Sequence, residues 1–542
     1  MADGSRDLFN LPRRKLVSAL LPDEIGVDLF AGGGGASEAM KEGLGIEPAL
    51  AYNHDEWAIG MHAANHPMTS HHREDIWHAD PRVDVAGSPV GWFHASPDCT
   101  HFSQAKGGQP RNGKIRALSW VVLKWVGKLL RADELNGTNT APRCISMENV
   151  RQILTWGPLI AKRDKATGRV IKMDGTVAAK GERVPVQNQQ LVPDKRHAGR
   201  MWNQFVEALR AFGYVVEWRK LVASDFGAGT SRERLFLIAR RDGQPIVWPE
   251  PTHRESPVSA AESIDFSDLG RSIFDRPRPL APATLRRIAK GVVKHVLQAK
   301  EPFFLTEFAN AGNGGRTWSA MEPLRTQCAG VKGGHFAMVA PTLVQTGYGE
   351  RAGQSPRSLD IKAPLGTIVA GGVKHALVSA FLEQACGGYY TGAGKDLREP
   401  NPTICAQGSM QRLVSADLAQ LSPEQEAGAL RVAAFLISYY GNGDALSLHD
   451  PLDTVTTRDR LALVTVYVRG APYVIVDIKL RMLKPVELFR AQGFPHDYII
   501  DRTADGRRIS NTHAVRMVGN SVSPPPLAAL IRANVAAPAT LH

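Results

Sequence analysis

The chain has 542 residues, 43% of them hydrophobic and 22% charged, with 65 Lys and Arg against 53 Asp and Glu. The hydrophobic share supports a folded core, excludes a disordered chain, and leaves room for one large or two ordinary domains. No apolar run reaches transmembrane length and no signal-peptide pattern opens the sequence, so no membrane partner is expected, while the net charge of +12 fits a polyanionic partner, most often nucleic acid. Five scattered cysteines form neither a metal spacing nor a disulfide framework. No metal is expected, and a reducing, cytoplasmic compartment is.

"IGVDLF" predicts a first strand ending in Asp28, Leu29 and Phe30, and "AGGGGAS" turns it into a helix. A glycine-rich strand-to-helix turn lets backbone approach a ligand closely, and it suits a dinucleotide, S-adenosylmethionine or a plain βα connection. The next strand ends near "AYNHDEW", where Asn53 stands in the place expected of a ribose acceptor. The third ends near "EDIW", where Asp75 suits an adenine amine and Ile76 the ring face. Exposed turn residues are the simpler alternative at each position. "GWFHASPDCTHFS" predicts a central strand followed by a loop that carries Pro97 and Cys99. A free cysteine is more often a small buried hydrophobe than a nucleophile. Here, however, it falls at the carboxyl end of a strand, where open α/β sheets bind ligands.

"ALSWVVLKWVGKLLRA" reads as a helix, and the strand "RCISMENV" then brings Glu148 and Asn149 to the sheet edge of Cys99. A carboxyl beside a thiolate that attacks a ring can donate to a ring nitrogen; the alternative is a helix-capping Glu. Residues 161–200 form a polar, basic insertion, after which "MWNQFVEALRAFG" resumes as a helix and "YVVEWRKLVASD" and "RLFLIARR" as strands. In "TSRERLFLIA", period two puts Arg232 and Arg234 on one face, suited to a base carbonyl oxygen and a phosphate or simply to solvent. Strands alternating with helices predict an α/β, Rossmann-like, largely parallel sheet.

After "WPEPT" the composition shifts to Pro, Gly, Ser and Thr. Pro-x-x-Thr units beginning at Glu322, Ala363, Glu399 and Asp450 predict β-rich strand–turn–strand repeats. Their expected turn tips carry Lys332, Lys374, Arg412, Arg458 and Arg460. A helix follows in "RMLKPVELFRAQGFP". "MVGNSVSPPPLAALIRAN" then places Asn520 and Ser521 in a polar turn before Val522 and a last helix.

The order of "DLFAGGGG", "PDCTHFS", "ENV", "SRER", "RAQGFP" and "GNSVSPP" resembles the cytosine-C5 DNA methyltransferase family. The resemblance implies a catalytic domain over 1–245 that is completed by 476–542, with a target-recognition domain over 246–475. It implies duplex DNA as partner, S-adenosyl-L-methionine as cofactor, and methyl transfer to cytosine C5 through a covalent bond from Cys99 to C6. Glu148 would act at N3, Asn149 would steady the loop, and Arg232 and Arg234 would hold the base oxygen and a phosphate. Cofactor contacts would come from Asp28, Phe30, Ala31, Gly32, Gly34, Gly35, Asn53, Asp75, Ile76, Pro97, Asn520 and Val522.

The chain departs from the family in three places. Asp98 separates Pro97 from Cys99, Asn53 replaces an acid, and Thr230 replaces a Gln. Variants of this sort resemble phage or prophage members. A monomer is expected, with a cognate restriction endonuclease as a candidate cellular partner. The competing readings are the same chemistry on tRNA, a nicotinamide oxidoreductase, and a DNA-binding protein without catalysis.

Overall fold

The computed structural model describes residues 18–102, 110–265 and 471–535 continuously, and only short segments between 266 and 470. The apolar runs become β1 (Ile25–Leu29), β2 (Leu50–Tyr52), β3 (Ser70–His72), β4 (Val90–Ala95), β5 (Cys144–Asn149), β6 (Val215–Val222) and β7 (Glu233–Arg240). They form one seven-stranded sheet in the order β3-β2-β1-β4-β5-β7-β6. The pairs from β3 through β5 are parallel, whereas β7 runs antiparallel to both β5 and β6. This is the α/β sheet expected from the alternating pattern.

Every residue of β4 is buried, because helices cover both faces of the sheet. Its alternation sends Trp92 into the core built with Met40, Leu530 and Ile531, and Phe93 into the opposite core with Trp125 and Leu129. Helix α1 (Gly35–Leu44) leaves the glycine turn directly. Helix α2 (Glu56–Asn65) is N-capped by Asp55, which accepts from the Trp57 and Ala58 amides. Helix α3 (Trp120–Asn136) stops at Gly137, whose φ of 65° closes the last turn. Helix α4 (Arg200–Ala211) buries Trp202, Phe205, Val206 and Leu209, which lie along one helical stripe.

The insertion folds as a small β meander. Leu159–Ala161 pairs antiparallel with Leu191–Pro193, and bridges link Arg163 to Val170, Ile171 to Val177 and Lys172 to Gln189. In the middle region, strands Ala340–Leu343, Val378–Gln384, Gln411–Leu418 and Ala471–Met482 join Arg271–Ser272 in a second sheet, while the Pro-x-x-Thr motifs at 364–367, 400–403 and 451–454 lie outside the described residues. The strand Ala471–Met482 crosses the expected boundary at 475/476. Of the expected turn tips, Lys332, Lys374, Arg458 and Arg460 lie outside the described residues. Arg412 is not at a tip. It lies within Gln411–Leu418, opposite Glu383 and Met482, because the alternating "QRLVSADL" continues as strand.

The chain then returns to the first sheet through α5 (Pro485–Ala491), α6 (Asn511–Asn520) and α7 (Pro524–Val535). Val522, Leu527 and Ile531 share a core with Ala36, Ala39 and Met40 of α1.

Candidate active site

The strand order reverses between β1 and β4, so a crevice opens at their carboxyl ends. The Ser96 hydroxyl donates to the Phe30 carbonyl at 3.3 Å and ties the two strand ends together. Three residues later comes Cys99, partly accessible. Its loop is pinned from the neighbouring strand: Asn149 Nδ2 donates to the Pro97 carbonyl at 2.9 Å, and Asn149 Oδ1 accepts from the Val150 amide at 2.9 Å. The Asp98 carboxylate accepts from the Thr100 amide at 2.6 Å and the Cys99 carbonyl from the Phe102 amide at 2.9 Å, so the loop turns on itself. The Asp between Pro97 and Cys99 thus has a local role as a turn acceptor.

Glu148 precedes Asn149 and is buried. Phe236 of β7 pairs directly with it, which puts Arg234, two residues away, on the same face. Arg234 Nε stands 3.1 Å from Glu148 Oε1, and Arg232 Nη2 stands 3.8 Å from it. Arg232 Nη1 also donates to the Gly519 carbonyl at 3.1 Å and so reaches the end of α6. Both arginines are buried, so they serve this carboxylate and are not solvated strand charges. Burial pushes the Cys99 thiol up to about 11, and the Arg234 guanidinium works against that shift while Asp98 and Glu148 add to it. A thiol, a carboxyl and two guanidiniums therefore converge at the ends of adjacent strands.

The glycine turn forms the other half of the crevice. Phe30 has φ 65°, a left-handed conformation uncommon outside glycine. A Cβ added at Gly32 would meet only the Phe30 carbonyl, 3.7 Å away, so the turn leaves open space for a ligand there. Gly34 differs: its φ is 92°, and a Cβ would fall 2.1 Å from the Tyr498 hydroxyl. The absent side chain at Gly34 makes room for the protein's own packing. The Gly35 amide donates to Ser521 Oγ at 3.2 Å, and Ala31 and Val522 are buried nearby in the same framework.

Asp28 is fully buried and accepts from the Ser37 hydroxyl at 2.7 Å, with burial raising its carboxyl to about 7. It holds the start of α1 from beneath. Asn53 lies just past β2, its Oδ1 accepting from the Asp55 amide at 2.9 Å. Asp75 lies three residues beyond β3, exposed, with Oδ1 accepting from the Trp77 amide at 3.0 Å, and Ile76 is buried. Asn520 is exposed at the end of α6. The open Gly32 turn, the Phe30 ring and the polar ends of β2 and β3 fit an elongated nucleoside-type cofactor.

The chain matches the C-5 cytosine-specific DNA methylase family over residues 26–157, 189–301 and 433–536. The chain belongs to that family. As a C-5 cytosine-specific DNA methylase it is a methyltransferase, its substrate is DNA, and it depends on S-adenosyl-L-methionine. It is 25% identical over 267 residues to the Type II methyltransferase M.AquIA of Picosynechococcus sp., covering 48% of this chain and 89% of that protein. It is 23% identical over 280 residues to the Type II methyltransferase M.AgeI of Thalassovita gelatinovora, covering 51% of this chain and 52% of that one. The match to M.DdeI of Desulfomicrobium norvegicum is 25% over 252 residues, with 46% and 48% covered, so the chain spans about half the length of the last two relatives. A solved structure of a Spodoptera frugiperda DNMT2 mutant aligns over 93% of this chain and 98% of its own, at 14% identity and a TM-score of 0.39.

Sequence reading missed several groups that build this methylase site. Tyr498 donates to the Gly33 carbonyl at 2.7 Å and lies 3.3 Å from His66 Nε2. His62 bridges Ser37 Oγ and His71 Nε2, both at 2.8 Å, and so extends the hydrogen-bonded chain from Asp28 to β3. The "HPM" and "HDY" contexts of His66 and Tyr498 carry no local signal. These contacts exist only once the distant segments meet.

Proposed function

We propose that this chain methylates C5 of cytosine in a specific duplex DNA sequence through a covalent Cys99 adduct. The observation that supports it is the Cys99 loop held by Asn149, next to a Glu148 that two buried arginines face. The target base must leave the helix stack to expose its ring to a thiol. The Cys99 thiol gives its proton to solvent, and its Sγ forms a bond to C6 as the C5–C6 double bond opens. Glu148 donates to N3, which draws the ring's electron pair and makes C5 nucleophilic. S-adenosyl-L-methionine supplies the methyl group that C5 accepts. Loss of the C5 proton to water then restores the C5–C6 double bond and expels Cys99 as the thiolate, and the N3 proton returns to Glu148. Arg234 and Arg232 keep Glu148 fixed and offset negative charge at the thiol.

Phe30, Gly32, Asn53, Asp75, Ile76 and Pro97 would line the cofactor, with Asp28, Ala31, Gly34, Gly35, Asn520 and Val522 shaping the turn behind it. Residues 246–475 would read the target sequence. The protein would work as a cytoplasmic monomer. Its Type II relatives support a restriction-modification role with a cognate endonuclease. No helix among the described residues is long and apolar enough to cross a membrane.

The test uses duplex DNA containing 5-fluorocytosine, in which fluorine cannot leave as a proton. A covalent complex is expected with the unaltered protein and S-adenosyl-L-methionine, and none with Cys99→Ala. An adduct in the Cys99→Ala protein, or transfer to tRNA in place of duplex DNA, would overturn the proposal.

A further inference from the structure

We propose that the β meander at 159–197 is a second DNA-binding surface, one that grips backbone phosphates beside the flipped base. The proposal rests on the reading of the chain as a DNA methylase. Residues 161–200 hold ten Lys and Arg against four Asp and Glu, a net +6, half of the chain's +12. Two of the cations are committed within the meander, Lys172 to Glu182 at 2.9 Å and Arg196 to Asp194 at 3.1 Å. Lys165, Lys180, Arg183 and Lys195 are exposed, and no acidic side chain among the described residues pairs with them.

Such a concentration of charge repels itself unless a polyanion is nearby. The fold spends structure on presenting it. The Asp164 carboxylate accepts from the Thr167 amide and hydroxyl at 2.8 and 2.7 Å, which fixes the turn that carries Lys165. The Gln189 amide donates to the Val184 carbonyl at 2.7 Å, which holds the loop after Arg183. Met173, Val177 and Val186 are exposed in the same meander, at 55%, 40% and 65%. Apolar groups among unpaired cations suit the sugar edges and phosphates of a duplex.

Placement selects the partner. The meander leaves the sheet just after Glu148 and Asn149 and returns at α4. The Arg111 amide donates to the Leu191 carbonyl at 2.8 Å, and the next amide, of Asn112, donates to His101 Nδ1 at 2.8 Å, two residues from Cys99. The Asp194 amide donates to the Pro158 carbonyl at 3.0 Å and closes the base of the meander. The charged surface is thus braced against the loop that must meet the extruded cytosine. A duplex docked there brings phosphates within its reach.

The experiment compares the unaltered protein with K165Q/K180Q/R183Q/K195Q and with the single variants K165Q and R183Q. Each change removes charge at an exposed position. The readouts are duplex affinity between low and high salt, S-adenosyl-L-methionine affinity, and the methylated site by bisulfite sequencing. Each lost phosphate contact flattens the plot of log affinity against log salt by about 0.9, so a decrease of roughly 3 to 4 is expected for the quadruple variant. The methylated site and the cofactor affinity are expected to stay unchanged. An active parent whose salt slope matches that of the single and quadruple variants would overturn the inference. A parent that transfers no methyl group to DNA would instead overturn the underlying reading.

Discussion

Asn149 donates its side-chain amide to the Pro97 carbonyl, and so one strand end holds the loop of its neighbour. The bond is buried and sits two residues from Cys99. Asn149→Asp keeps the shape but loses the donor and leaves two acceptors facing each other. Adduct formation on 5-fluorocytosine DNA should slow by about 10- to 100-fold, the scale of a misplaced reactive group. S-adenosyl-L-methionine affinity should hold. An unchanged adduct rate would show that the loop keeps its geometry without Asn149.

Glu148→Gln should lower turnover by about 10²- to 10⁴-fold, the usual range for a general acid. Cofactor affinity should barely move, since Glu148 faces Arg232 and Arg234. Calorimetry and single-turnover kinetics together check this. A collapse of cofactor binding with normal turnover per bound complex would reassign Glu148 to the cofactor crevice.

The Cys99 thiol is pushed up to about 11 by burial. At neutral pH it is almost wholly protonated, and the thiolate fraction grows about tenfold per pH unit below that value. Covalent trapping measured from roughly pH 7 to 9 should therefore quicken with pH, as far as DNA binding holds. A rate that is flat over that span would mean that DNA docking, and not the thiol, limits the reaction.

His94 lies fully buried in β4, with Nδ1 2.8 Å from Ser146 Oγ and no partner for Nε2 among the described residues. Burial lowers it to about 3 from its ordinary 6.5. The folded value is the depressed one, so this contribution to stability is complete above about pH 6.5 and is lost as pH falls towards 3. His94→Gln should make the acid loss of stability shallower by about 1.4 kcal/mol per pH unit, one proton's worth. Urea unfolding at a series of pH values from 4 to 7 checks this, and an unchanged slope would show that His94 is not the group that charges.

Tyr498→Phe removes the donor to the Gly33 carbonyl and keeps the ring that packs on Phe489 and Phe494. A loss of about 1 kcal/mol in unfolding free energy is expected, with weaker S-adenosyl-L-methionine binding. Equal cofactor affinity in the two proteins would detach Tyr498 from the turn's function.

The parts legible in the sequence are those whose signal is local. "VGWFHA" announces a strand covered on both faces, and Asn149 sits where its strand pattern puts it. The sharing of Glu148 by two arginines follows from period two and one ladder register. What stayed hidden depends on contacts that the local pattern does not encode. Asp28 ends a strand at the glycine turn, but its hydrogen bond to Ser37, which links it to the buried histidine chain, has no local signal. Gly34 reads as room for a ligand, while Tyr498 claims the space. Arg412 follows a Gly-Ser pair that suggests a turn, and strand pairing across two neighbours overrides it.

The contact between the Gly35 amide and Ser521 spans 486 residues, and α1 shares its core with α7. Order of synthesis follows from that. A ribosome adding about 5–20 residues per second completes the thiol loop and its carboxyl neighbour well before the segment that backs the glycine turn. Until α6 and α7 emerge, a nascent chain holds the Cys99 loop without the segments that back the glycine turn. Competence to modify DNA thus waits for α6 and α7, and a chain that stops before them would be released unable to transfer a methyl group.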